Sequence, residues 1–238
     1  MLAVRNSLAA CEAQIGPAPL GLPRVAIVGA SYTAGVGPDN PSLSWAVDLA
    51  KKLRWDAVIY GVPGAGYVRT GTDGLGPMTR MLGDEELPRL SPELVIIQAG
   101  YDDGRVPPDN ERQAVHRTIE LIKSEDPTAK IALVTVFTTP SRPIPERFYR
   151  TDHTIVTSAR DADPDAIIMD PLTGRWKFQH ADDGLHPTAA GDAWIAHKVD
   201  EILSDHGILG RPATTDAAAP IVCDLGIRDS SEGGDTGV

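Results

Sequence analysis

The sequence predicts an α/β domain in which a parallel sheet carries helices on both faces. Two patterns lead there. Five short runs are apolar along their whole length, as strands buried on both sides are. The stretches between them place apolar residues at helical spacing, and strands alternating with helices build parallel sheets. A chain of 238 residues that is 42% hydrophobic and 23% charged can bury a substantial core.

The elements follow in order. Val25-Ala26-Ile27-Val28 is the first strand. Residues 43–53 are helical, with Leu43, Val47 and Leu49 among the apolar positions and Ser42 as the N-cap. Ala57-Val58-Ile59-Tyr60 and Leu94-Val95-Ile96-Ile97 are the second and third strands. Residues 110–124 form an amphipathic helix with Val115, Ile119 and Ile122 on one face. Residues 131–136 make the fourth strand, 147–159 a helix, and Ala166-Ile167-Ile168-Met169 the fifth strand. A last helix opens at Pro187, a favoured first-turn residue, and runs through Trp194, Ile195 and Val199 to Leu203.

This core occupies residues 24–206. Residues 1–23 read as an N-terminal extension. Arg5 and Asn6 interrupt any apolar stretch of the length a complete secretory signal needs, although Leu8-Ala9-Ala10-Cys11 looks like a lipoprotein cleavage box. Residues 207–238 read as a mostly disordered acidic tail, too poor in apolar side chains to offset the cost of ordering. Its exception is a small island at Ile221-Val222-Cys223. The two cysteines, Cys11 and Cys223, fall one in each terminal segment. Either they are unrelated thiols or they form a bridge tying the ends together. The bridge fits an exported or cell-envelope protein better than a cytoplasmic one.

Several function classes drop out. A formal net charge of −11 suits neither nucleic acid nor an anionic membrane surface. No apolar run reaches the roughly 18 residues of a membrane span. The glycines at 61, 64 and 66 stand in the wrong order for a dinucleotide fingerprint, and no lysine follows Gly35 as a phosphate loop requires. No Cys/His spacing suits zinc. His116, His153, His180, His197 and His206 fit no ligand pattern and read as surface or packing residues, with His180 and Asp182 a reserve base pair.

Parallel sheets present their ligand sites at the carboxyl ends of the strands. Four segments lie there: Gly29-Ala30-Ser31-Tyr32, Gly61 to Tyr67, Gly100-Tyr101-Asp102-Asp103, and Asp183-Gly184-Leu185-His186-Pro187. A serine hydroxyl becomes a nucleophile when a neighbouring base takes its proton. Histidine has the affinity for that task, and a carboxylate on its second nitrogen orients it. Asp183 and His186, three residues apart around Gly184, can be aimed together by one turn. Backbone N–H groups at Ser31 and Gly64 can face a developing oxyanion.

In order and spacing, these segments resemble the SGNH (GDSL-type) hydrolase family over roughly residues 24–205. The resemblance implies a flavodoxin-like three-layer α/β/α sandwich on a five-stranded parallel sheet. It implies Ser31 as nucleophile, His186 as base, Asp183 as its partner, and an oxyanion hole from Ser31, Gly64 and Asp102. It further implies ester hydrolysis through an acyl-enzyme, with no metal or organic cofactor, on a small-molecule or carbohydrate ester. Two positions depart from the family pattern. Ala30 stands where the family has Asp, which implies a structural cost. Asp102 stands where the family has Asn, a third oxyanion donor. A carboxylate donates nothing and repels the oxyanion. Either a crowded site keeps Asp102 protonated, or it turns away and Tyr101 or a water substitutes.

Blander readings exist for each block. Ser31 could cap a helix, Asp183-Gly184 could be a plain turn, Gly64 and Gly66 ordinary loop glycines, and Asp102 with Asp103 a solvated loop edge. Two other functions also fit the residues. One is acyl transfer or deacetylation on an envelope polysaccharide. The other is a binding module that kept the fold and lost the chemistry.

Overall fold

A computed structural model describes residues 14–16, 23–38, 40–83, 91–138, 143–208, 210 and 219–223. The strands are β1 (Arg24–Gly29), β2 (Asp56–Gly61), β3 (Leu94–Gln98), β4 (Lys130–Val134), β5 (Ile167–Met169) and β6 (Ile221–Val222). The helices are α1 (Ser31–Ala34), α2 (Trp45–Leu53), α3 (Met78–Gly83), α4 (Pro108–Glu125), α5 (Glu146–Ala162) and α6 (Ala189–Asp205). All strand pairs are parallel, in the order β5-β4-β3-β1-β2-β6.

Alternation along each strand divides the core into two layers. Ala26, Val28, Val95, Ile97, Ile131 and Leu133 meet residues of α3, α4 and α5 on one face. Val25, Ile27, Ala57, Ile59, Leu94 and Ile96 meet α2 and α6 on the other. The sandwich is therefore α/β/α, as expected. Its sheet has six strands rather than five. The apolar island of the C-terminal segment supplies the sixth, with Ile221 in register with Val58 and Val222 with Ile59. The N–H of Cys223 adds a bond to the Ile59 carbonyl at 2.9 Å. Cys223 is buried and disulfide-bonded; Cys11, the partner it would have in the bridge reading, lies outside the described residues. At the amino ends of β1 and β2, Arg24 and Asp56 face each other in register and form a buried ion pair at 2.7 Å.

Two helix starts differ from expectation. Ser42 lies in a 3-10 turn, Pro41–Leu43, where it bonds to the Asn40 side chain. Ser44 holds the N-cap position of α2 but makes no capping bond. The acceptor comes from another helix: Oδ1 of Asp192 in α6 takes the Trp45 N–H at 2.9 Å. Likewise α6 opens after Thr188, whose hydroxyl accepts the Gly191 N–H, while Pro187 pairs with His180 in a bridge ahead of the helix. Local spacing identifies a cap by chain position, but any acceptor that reaches the free N–H groups serves equally well.

The strand order reverses between β1 and β3. The chain leaves β1 toward β2 on one side and returns to β3 on the other. The loops after β1 and β3 therefore diverge to opposite faces and leave a crevice at their carboxyl ends.

Asp192 is fully buried, and burial pushes its carboxyl up to about 8, with the Asp48 charge adding to the rise and the Trp45 N–H opposing it. A raised carboxyl holds its proton in the fold and releases it on unfolding, so stability falls as pH climbs toward 8, by at most about 1.4 kcal/mol per pH unit. Asp192→Asn keeps the oxygen acceptor and removes the titration. The difference in Tm between this variant and wild type should therefore grow in the variant's favour from pH 5 to pH 8. A flat difference in thermal melts across that range would overturn this account of Asp192.

Candidate active site

Ser31 follows β1 directly and opens α1. Ala30 occupies the N-cap position and offers no side-chain acceptor. The missing acceptor is supplied by Gln98 at the end of β3. Its Oε1 takes the Ala30 N–H at 3.1 Å, the Thr33 N–H at 3.3 Å and the Thr33 hydroxyl at 3.0 Å. Sequence reading assigned Gln98 no role. The available signal was a polar side chain closing an otherwise apolar strand, and it is 2% exposed. Ser31 does not cap the helix. Its hydroxyl is free to point into the crevice.

His186 arrives on the turn before α6. Oδ1 of Asp183 accepts the N–H groups of Leu185 at 2.8 Å and His186 at 2.9 Å, folding the turn around its own side chain. Oδ2 then meets Nδ1 of His186 at 2.5 Å. With Asp183 accepting from Nδ1–H, Nε2 is left as an acceptor, and it lies 2.8 Å from Oγ of Ser31. Burial pushes Asp183 up, but the bonds from Leu185 and His186 outweigh it and hold the carboxyl below its ordinary value. Asp183 is thus an anion facing the ring.

Tyr32 ties the two halves together. Its hydroxyl donates to the Leu185 carbonyl at 2.6 Å, and its ring stacks on Phe137 at 4.3 Å with His186 tilted against it at 5.6 Å. His180, the reserve base, stacks on Phe178 at 4.3 Å instead, and burial lowers its affinity for a proton.

Gly64 sits in the loop after β2 with φ +75°, a left-handed conformation that glycine adopts without cost. Neither the Ser31 nor the Gly64 N–H donates to an acceptor among the described residues. The loop is pinned from β3. Asp103 is fully buried and accepts the N–H groups of Tyr67 at 2.6 Å, Val68 at 3.2 Å and Arg69 at 3.0 Å. A Cβ on Gly66 would stand 2.2 Å from that carboxylate, so only glycine fits. The solvated-edge reading fails for Asp103.

Asp102 is half-buried. Burial pushes its carboxyl up to about 6, the Asp103 charge adds to the rise, and the charges of His186 and Arg69 oppose it. Tyr101 stacks on Phe148 at 4.7 Å.

A serine, an imidazole and a carboxylate joined by hydrogen bonds at the carboxyl edge of a parallel sheet are the arrangement of serine hydrolases. Residues 27–194 match the GDSL-like lipase/acylhydrolase family, and the chain belongs to it. Among its relatives is the GDSL lipase Rv0518 of Mycobacterium tuberculosis, 26% identical over 195 residues, covering 76% of this chain and 81% of that protein. A family 2 carbohydrate esterase with a carbohydrate-binding domain, from Corynascus thermopiles (Myceliophthora fergusii), superposes with a TM-score of 0.63 at 19% identity. That match covers 80% of this chain and 68% of the other. The salicylyl-acyltransferase SsfX3 of a tetracycline biosynthetic pathway gives 0.62 at 17% identity, over 79% of this chain and 56% of its own. These likenesses to solved structures share the fold.

Gln98→Ala should leave both Thr33 donors without their acceptor, while the Ala30 N–H keeps the Gln98 main-chain carbonyl at 3.1 Å, and cost about 1–3 kcal/mol of stability. Urea denaturation measures this, and an unchanged midpoint would mean that the turn before Ser31 is held by something else.

Proposed function

We propose that this chain is a serine esterase that cleaves carboxylic esters through an acyl-enzyme. The observation carrying this reading is the 2.8 Å contact between Ser31 Oγ and His186 Nε2, with Asp183 on the other ring nitrogen. In the proposed cycle, Nε2 takes the hydroxyl proton as Ser31 attacks the ester carbonyl. The N–H groups of Ser31 and Gly64 receive the oxyanion. Collapse of the tetrahedral intermediate expels the alcohol, which takes its proton from His186. A water then attacks the acyl-serine, with His186 again as base, and releases the acid and free Ser31. Asp183, held as an anion, stabilises the imidazolium formed in each half.

The substrate class in this proposal is a small-molecule or carbohydrate ester. Membership of the acylhydrolase family and the likeness to a carbohydrate esterase support it. Acyl transfer to a sugar hydroxyl uses the same residues with that hydroxyl replacing water, and the likeness to an acyltransferase supports it as the second reading. The disulfide at Cys223 supports an exported or cell-envelope setting.

A fluorophosphonate probe should label wild type at Ser31 and leave Ser31→Ala unlabelled. Turnover of 4-nitrophenyl acetate by the variant should drop about 10³-fold or more. Equal turnover by both proteins would end the esterase reading. Absent labelling together with ligand binding would favour a non-catalytic module.

Asp102 gives a pH test. Above pH 6 it is ionised beside the proposed oxyanion position; below, it carries a proton and can donate. Asp102→Asn restores a donor at every pH. Its kcat should exceed wild type by up to about 10²-fold at pH 8 and much less at pH 5. A loss of activity at both pH values would mean that Asp102 acts in another way.

A further inference from the structure

Between the loop after β2 and the segment that leads from β3 into α4 lies an open cleft of about 390 Å3. Val68, Arg69 and Thr70 line one wall, and Arg105, Val106 and Asn110 line the other. Asp103 staples the two walls at their base. Its carboxylate accepts from Val68 and Arg69, and its carbonyl accepts the Val106 N–H at 2.7 Å. The same carboxylate fixes the loop that carries Gly64, so the cleft and the proposed oxyanion hole share one anchor.

The cleft is cationic in a chain of net charge −11. Among the described residues, neither the Arg69 nor the Arg105 side chain forms an ion pair. Asp109, beside Asn110 in the chain, pairs with Arg112 at 3.3 Å. Asn110 adds an amide donor where α4 begins. Arg69 acts on Asp102, as does His186, which puts the cleft within electrostatic reach of the reacting groups. Paired guanidinium forks match the geometry of carboxylate and phosphate oxygens.

We propose that the Arg69–Arg105 cleft is a specificity subsite that takes an oxyanion group of the ester substrate, a carboxylate or a phosphate, while the ester carbonyl lies at Ser31. The subsite rests on the esterase reading for its role in turnover, but its capacity to hold an anion does not. Arg105 acts only through this cleft, so its replacement leaves hydrolysis of a neutral ester unchanged.

The test compares 4-nitrophenyl acetate with 4-nitrophenyl hydrogen succinate, which carries a free carboxylate on its acyl part. For Arg105→Ala, kcat/KM on the succinate should fall about fivefold, the scale of one exposed charged contact, with the acetate unaffected. Arg105→Glu should fall further, and high salt should shrink both effects. Arg105→Lys, keeping the charge but not the fork, should lie between wild type and Arg105→Ala. Equal succinate-to-acetate ratios in wild type and Arg105→Ala would overturn the subsite. In parallel, Ser31→Ala protein is titrated with inorganic phosphate and with succinate, following backbone amide NMR shifts. Shifts at residues 68–70 and 105–110 that vanish in Ser31→Ala/Arg105→Ala support the cleft, and the anion with the larger shifts identifies the head group. No shifts there with either anion would overturn it. If neither ester is turned over, the esterase reading fails, and the titration alone still decides the subsite.

Discussion

The hydrogen bond between Ser31 Oγ and His186 Nε2 joins positions 155 residues apart, and much of the fold serves to hold its two ends. One end is fixed by Gln98, which reaches from β3 to cap the turn before Ser31. The other is fixed by Asp183, which folds the histidine turn around its carboxylate. Tyr32 links them through the Leu185 carbonyl. Gln98 and Tyr32 are buried polar groups bonded across long sequence separation, where leaving a partner unmade is costly, whereas Asp183 works locally within an exposed turn. The sheet makes the meeting possible. Because the strand order reverses between β1 and β3, the loop after β1 and the loop after β3 border one crevice, and the turn before α6 closes over it.

The site is carried on an unusually acidic strand end. Asp103 acts on both Asp102 and, in a neighbouring helix, Glu111, and Asp152 acts on Glu111. Burial pushes Glu111 up to about 9, with the charges of Asp103 and Asp152 adding and Arg150 opposing. Burial likewise pushes Asp152 up to about 6. A protonated Glu111 relieves repulsion behind Asp103, whose role is to accept three N–H groups of the Gly64 loop. Burial raises Asp103 too, and those three bonds pull it back toward its charged form. Like charges at close quarters cannot all ionise, and Glu111, which receives no such donated bonds, carries the largest rise of these acids. Asp102 lies between the acids on one side and the charges of His186 and Arg69 on the other.

The family relation and the fold agree although sequence identity is low. At 26% identity to Rv0518 and 19% or 17% to the two solved structures, the walls around the crevice are free to differ. An open crevice floor with variable walls is the means by which one scaffold serves many substrates.

The five apolar runs and the helices between them were legible in the sequence, because burial on both faces of a parallel sheet demands unbroken apolar strands. Ser31, Gly64, Asp183 and His186 were legible because they sit in turns with marked spacing at the strand ends, and the structure brings Ser31, Asp183 and His186 into one line. Gln98, Asp103 and Tyr32 were not, since their importance lies in partners 36 to 153 residues away. The cap of α2 was sought at Ser42 and comes from Asp192, and the sixth strand comes from an island of three residues too short to identify as a strand in isolation. Local periodicity and turn chemistry are properties of neighbours in the chain, so they specify the elements and the candidate chemistry. Which acceptor reaches which N–H, and which carboxyl keeps its proton, depends on distances across the sheet and on exclusion of water, which no single stretch of chain contains.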